Sequence, residues 1–481
     1  MQGCQDPQRE LFCTIDLESF VPEDHLLRKI DRIVDLEFLY DITASLYCVD
    51  NGRPSIDPVL FFRMQLIGCL YGIESDRQLC REIHLNLAYR WFCRIPLQED
   101  VPHHSSLTRI RDRLGEGKYR EIFERLLDQW RGQGRVDGRR IVADATLIAA
   151  NASMDSLVER EDGDPNARAL KNYDKRYHDF QHGRRQRRVA NQTHVSSTDS
   201  DATMVYRRGI SGGLKYKVHY CADAKSRIIT DCYTTTGSTQ EGPLLPGRID
   251  YLCDELGFDI GEVIADRGYG RGPTYSALRQ RQIRTYIPLH DARLGKGKLT
   301  PTTFIYQSRN DRYLCPDGHH LYPYEKQDNG IKRYRILGGH CRRCPQRESC
   351  LPDTAKQRAR FVYRSVHQHE IDQVRRRQNT AAFVAKMIER KWKIEGLFAE
   401  AKLFHSLRRA RYRGLAKVSI QALMTAMVQN LKRIAKDALY WLYFCLKLIN
   451  MHSDVRHEKA TTHRSANFAC FTHDHSQVAF A

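Results

Sequence analysis

Apolar positions in the first third of the chain recur at helical spacing. The run Pro58-Val-Leu-Phe-Phe-Arg-Met-Gln-Leu-Ile-Gly-Cys-Leu-Tyr71 predicts a strongly apolar helix, and Asp57 is placed to cap it by accepting from the unpaired N–H groups of the first turn. Ser75 opens a second predicted helix, a short third surrounds 86–92, and Ser105 or Ser106 caps a fourth that is studded with arginines. Short helices in series with basic ends suit a helix-turn-helix-like DNA-binding unit, and they suit a plain helical bundle equally well. At Arg139 the period changes. Arg140-Ile-Val-Ala-Asp-Ala-Thr-Leu-Ile-Ala-Ala150 reads as a buried strand that carries one acid, Asp144. Residues 214–223 and 227–236 form a predicted hairpin about a turn at Ala224-Lys-Ser226, and after a helix over 246–256 a second buried strand ends on Asp266. A helix over 273–282 and a strand from Arg284 follow. Residues 300–365 are short-stranded and polar, while 371–404 and 418–448 read as helices.

This pattern divides the chain into a helical N-terminal DNA-binding domain (1–135), an α/β core (136–300) interrupted by a polar insertion (156–197), a β-rich cysteine-containing insertion (301–365), the helices that complete the core (366–450), and a polar tail (451–481) with five histidines. No internal repeat is present. The 481 residues carry 77 Lys and Arg against 58 Asp and Glu, a net charge of +19, which fits a polyanionic partner because phosphate neutralisation supplies sequence-independent nucleic-acid affinity. With 41% hydrophobic residues the composition excludes a disordered or collagen-like chain. The longest apolar stretch, 438–449, contains Lys447 and is too short to span a bilayer, so no membrane association and a cytoplasmic location are expected. Fifteen cysteines without framework-like spacing point to a reducing compartment.

An antiparallel hairpin, with one buried strand before it and another after a helical crossover, outlines an RNase H-like α/β domain. In such a sheet the first and fourth strands are neighbours, so Asp144 and Asp266 meet, and a third acid is required from a helix. Phosphodiester chemistry explains the acids: two Mg²⁺ ions (or Mn²⁺) roughly 3.5–4 Å apart need bridging carboxylates, and hard cations prefer oxygen ligands.

Asp144-Ala-Thr146, Asp266-Arg-Gly-Tyr269 and Glu395-Gly-Leu-Phe-Ala-Glu-Ala-Lys402 resemble the three catalytic blocks of the DDE transposases of bacterial insertion sequences. The likeness extends over about residues 10 to 435 and includes the run Leu407-Arg-Arg-Ala-Arg-Tyr-Arg-Gly-Leu415. It implies a catalytic trio of Asp144, Asp266 and Glu395 holding Mg²⁺, and DNA contacts from Lys402, Arg267, Arg390, Lys391, Arg408, Arg409 and Arg411. Glu395 is preferred to Glu400 because Glu395 and Lys402 share a helix face, whereas Glu400 points about 140° away from Glu395 at ~100° per residue. Family members often carry Tyr and Arg where this chain has Ile388 and Lys391. Lys391 lacks the bidentate fork of arginine, which leaves Arg390 as the substitute. The resemblance implies double-stranded DNA, at element ends and target, as partner and a homodimer on that DNA. A nuclease or resolvase that only hydrolyses, and a decayed DNA-binding protein, are the alternatives.

Cys315, Cys341, Cys344 and Cys350 include one C-x2-C pair, spacing that suits a Zn²⁺ site, with His319, His320 or His340 as substitutes. Four reduced thiols in a β-rich insertion fit the spacing too.

Overall fold

The computed structural model describes residues 16–48, 55–160, 191–207, 210–290, 299–326, 330–351 and 359–436. The Arg184–Arg188 run, residues 437–448 of the last predicted helix and the histidine-rich tail lie outside the described residues.

Seven helices open the described chain: α1 (Leu17–Phe20), α2 (Leu26–Ile33), α3 (Phe38–Ala44), α4 (Pro58–Leu70), α5 (Asp76–Leu85), α6 (Leu87–Cys93) and α7 (His104–Gly132). The apolar side chains of α4 run around its whole circumference, so it lies at the centre of the packing and buries Phe61, Phe62, Met64, Leu66 and Ile67. Asp57 and Ser75 cap α4 and α5 as the sequence predicts, accepting from the N–H groups of Leu60 (2.7 Å) and Gln78 (3.4 Å). The cap of α7 is different. His103 holds it, its Nδ1 accepting from the Ser105 N–H, and the serines expected there already lie inside the helix. Several arginines of this region are turned inward: Arg90 donates to the carbonyls of His84, Pro96 and Glu99, and Arg111 is buried against Asp76 at 2.8 Å.

The main sheet begins with β1 (Arg140–Ala149). After a small two-stranded ribbon, β2 (Leu157–Glu159) and β3 (His194–Ser196), come β4 (Thr203–Arg207), β5 (Ile210–Asp223) and β6 (Ile229–Thr236). Helix α8 (Leu245–Asp254) leads to β7 (Glu262–Ala265), and α9 (Gly272–Gln280) leads to β8 (Arg284–Tyr286). Across the sheet the strands run β6-β5-β1-β7-β8, with β4 paired to the opening stretch of β5. β5 is antiparallel both to β1 and to its hairpin partner β6, while β7 and β8 are parallel to β1. Parallel neighbours require crossovers, and α8 and α9 supply them.

A second, antiparallel sheet of order β13-β12-β11-β10-β9 follows: β9 (Ile305–Gln307), β10 (Arg312–Leu314), β11 (His320–Lys326), β12 (Ile331–Ile336) and, after the short α10 (Arg347–Cys350), β13 (Phe361–Ser365). Its core is small, consisting of Phe304, Tyr313, Leu321, Tyr334 and Val362. The run expected as one helix over 371–404 is two, α11 (Gln368–Arg377) and α12 (Ala381–Phe404), because Thr380 interrupts the first and caps the second. The chain is helical again over 415–436 (α13). Apart from the second sheet, one continuous apolar core runs from Val21 to Ala435.

Candidate active site

The site grows out of a change along one side of β1. Its first residues pair with β7 as far as Ala143 with Ala265, and there β7 ends. Asp144 and Asp266 are the next residues of two adjacent parallel strands, so they occupy equivalent positions on the same face. Beyond Asp144 that side of β1 has no strand partner until Ala149, whose N–H donates to the Arg408 carbonyl at 3.2 Å and whose carbonyl accepts from the Ala410 N–H at 2.7 Å. The gap between is a crevice at the carboxyl ends of parallel strands, where α/β sheets commonly hold their ligands.

Asp266 leaves the sheet and turns, its carboxylate accepting from the Gly268 N–H at 2.7 Å. Gly268 is required at this turn: a Cβ there would stand 2.8 Å from Glu241 Oε2 and 2.9 Å from Asp266 Oδ1. Glu241, itself paired with Lys217 at 3.0 Å, therefore brings another carboxylate up to the Asp266 turn. The sequence alone does not single it out, because nothing local marks an acid that closes on a turn from another part of the sheet.

Helix α12 lies over this face. Phe398 stacks on Tyr220, the β5 residue opposite Asp144, with ring centroids 4.6 Å apart. From the same helix Arg390 reaches Asp144 Oδ2 at 2.7 Å and Glu395 Oε1 at 3.4 Å, so a single guanidinium bridges two of the three predicted acids. Lys402 donates to Thr146 Oγ1 at 2.6 Å. Thr146 belongs to the site on a signal the sequence does carry, since a residue two on from Asp144 in a strand shares its face. Burial pushes the Asp144 carboxyl up; Arg390 opposes this and Asp266 adds to it, leaving the group at about 6. Burial lowers the Lys402 ammonium, and the charges of Lys215 and Arg408 lower it further.

Glu400, the acid passed over on helix geometry, faces elsewhere. It pairs with Lys432 (3.0 Å) and Arg433 (2.5 Å) on α13 and lies 3.6 Å from His405, and this set of cations holds its carboxyl well below the usual range despite burial. Arg267 and Lys391 are exposed at the rim, as are Arg408 and Arg409. Arg411 is engaged, donating to the Glu74 carbonyl and stacking on Tyr412. Cys315, Cys341, Cys344 and Cys350 lie away from this site and line one cavity in the second sheet's domain. Among the described residues no three His, Cys, Asp or Glu side chains stand as a finished metal-ligand cluster. The acids nonetheless suit a hard divalent cation: two half-buried carboxylates on neighbouring strands repel each other, and a bound cation would relieve that repulsion.

No curated protein matches the chain. Among solved structures, a synaptic complex of piggyBac transposase with hairpin DNA aligns at 10% identity over 86% of this chain and 78% of that one, with a TM-score of 0.34. A pre-cleavage Mos1 transpososome aligns at 12% identity over 50% of this chain and 62% of that one, with a TM-score of 0.16. Family profiles give more: residues 15–113 match the Transposase domain (DUF772) and residues 314–435 match the Transposase DDE domain. Those two matches stand in order along one chain, the second of them containing Glu395 and Lys402, and they support a DDE transposase.

Proposed function

We propose that the protein cuts DNA at the ends of a mobile element and joins the freed 3′-hydroxyls to target DNA, both steps being in-line phosphoryl transfers at one site. The observation that carries this reading is the adjacency of Asp144 and Asp266 at the ends of paired parallel strands, with Glu395 tethered to Asp144 through Arg390. The strand order β6-β5-β1-β7-β8, with β5 antiparallel to β1 on one side and β7 and β8 parallel to it on the other, supports an RNase H-like reading of the sheet.

Asp144, Asp266 and Glu395 are the residues that would hold Mg²⁺ or Mn²⁺. When bound, the ions lower the pKa of the attacking water or hydroxyl and neutralise charge on the leaving oxygen. The chain's own groups do the rest. Arg390 stands between Asp144 and Glu395, and with cations held by those acids its guanidinium would be free to face the phosphate. Lys402, fixed by Thr146, offers a positive charge on the same face as Asp144. Arg408 and Arg409 flank the crevice and hold backbone phosphates, which fixes register without reading sequence. The helical N-terminal region is our assignment for recognition of element ends. Two ends must be cut and joined together, so two copies act on one DNA complex.

The test is an assay with labelled element ends and a supercoiled target. Wild type should nick the ends in Mg²⁺ and, given pre-cut 3′-ends, join them to target, whereas Asp144→Asn should bind the ends as tightly and do neither. Cleavage by Asp144→Asn at the wild-type rate would sink the assignment. Cleavage without joining by wild type would favour an enzyme that only hydrolyses.

A further inference from the structure

The domain built on β9–β13 has a small core of its own: among its described residues one cluster of five buried side chains serves about sixty residues, and small domains are commonly strengthened by a covalent or metal cross-link. Beside that core lies a cavity of about 20 Å³, which is room for one small ion or one water. Its walls include Leu299, Phe304 and Ile336, the polar Asp317, His319 and His340, and all four cysteines of the region.

The four thiols come from separate turns that are each braced by the backbone. Cys315 opens a tight turn in which Gly318 has φ +78°: the Gly318 N–H donates to the Cys315 carbonyl at 3.0 Å, and the His319 N–H donates to Cys315 Sγ at 3.3 Å. Cys341 and Cys344 sit on the next turn, and the Arg347 guanidinium donates to the Cys341 carbonyl at 2.8 Å. Cys350 ends α10, and the Arg360 guanidinium donates to its carbonyl at 3.0 Å. Cys341, Cys344 and Cys315 are all within electrostatic reach of Cys350. The rings of His319 and His340 pack together at 4.5 Å on the same cavity wall.

We infer that Cys315, Cys341, Cys344 and Cys350 bind one structural Zn²⁺ in the cavity that they line. Four thiolates complete a closed tetrahedral site, which leaves no open position for chemistry and suits a cross-link. As the side chains stand they do not form a ligand set, so binding requires the four to turn towards the cavity that they share. The ion would join the Cys315 turn, the Cys341–Cys344 turn and α10, and so fix the domain that separates the Asp266 segment from the helix carrying Glu395.

The full-length protein, purified under reducing conditions without chelator, should contain about one zinc per chain by elemental mass spectrometry. Its cobalt-substituted form should show the intense visible bands of tetrahedral thiolate coordination. Cys344→Ser should lower zinc content roughly tenfold or more. Cys253→Ser, on α8, should keep it, and so should Asp144→Asn, which separates this metal from the catalytic ions. Because Cys344→Ser could unfold the domain, wild type treated with a thiol-reactive mercurial gives a second measure: zinc should be released in step with thiol modification. Iron in place of zinc, a disulfide in the reduced preparation, or zinc below about a tenth of an equivalent in well-folded wild type overturns the inference.

Discussion

Arg390 neutralises two acids from one position, and the balance of charge around it sets how the site responds to pH. The folded Asp144 carboxyl ionises near 6, later than a free carboxyl at 3.8, so between those values the folded protein binds a proton that the unfolded chain has released. That contribution to stability is fully present below the lower value and is lost as pH rises through the upper one. Asp144→Asn should therefore become more stable relative to wild type across this window, by on the order of 1–3 kcal/mol, in metal-free denaturant titrations. A constant difference on both sides of the window would contradict this. Glu395 and Glu400 offer a sharper contrast. Glu395→Gln should abolish cleavage with little change in stability, while Glu400→Gln, which strips the partner from Lys432 and Arg433, should cost about 2–4 kcal/mol in urea and leave the chemistry intact in the folded fraction. The acids are legible from their sequence blocks. The bridging role of Arg390 is not, because it depends on a strand and a helix meeting from distant parts of the chain.

At the level of elements, apolar periodicity locates β1, β5, β6, β7 and β8 of the main sheet, and the capping residues Asp57 and Ser75 stand where polar side chains precede apolar runs. Periodicity misses the break between α11 and α12, since the helical pattern carries on past Gln378 and only the capping Thr380 marks the stop. Docking between elements is the least visible property. Asn430 on α13 accepts from the Ile229 N–H and donates to the Ile229 carbonyl, both at 2.8 Å, and so pairs the first residue of β6 across 201 positions. Asn430→Ala would leave both buried backbone groups without a partner. A loss of about 2–4 kcal/mol in chemical denaturation is expected. No periodicity announces such a residue, because a polar group in an apolar helix face has a purpose only when its partner is known.

Across the whole molecule, the basic excess divides between groups that face solvent and groups that hold the fold. Arg408→Ala and Arg409→Ala should weaken binding to every DNA sequence and flatten its salt dependence by about one unit for each phosphate no longer neutralised. Arg411→Ala should instead lower stability, since this side chain ties the C-terminal part of the core to the Glu74 carbonyl. Equal salt slopes for wild type and the first two variants would remove them from the interface. Charge count alone does not separate these classes, because burial decides between them. Helices α12 and α13 also close on the first ones: His405 Nδ1, at the end of α12, lies 2.8 Å from the Cys69 carbonyl of α4, and Thr425 of α13 lies against the Cys69 thiol at 3.8 Å. On the ribosome, Asp144 and Asp266 emerge long before Glu395, and α4 waits for partners that are made only after residue 425 has appeared. If Asp144, Asp266 and Glu395 act together, a nascent chain cannot cut DNA until Glu395 has emerged, and products truncated before residue 425 leave part of the α4 surface uncovered and open to aggregation or proteolysis.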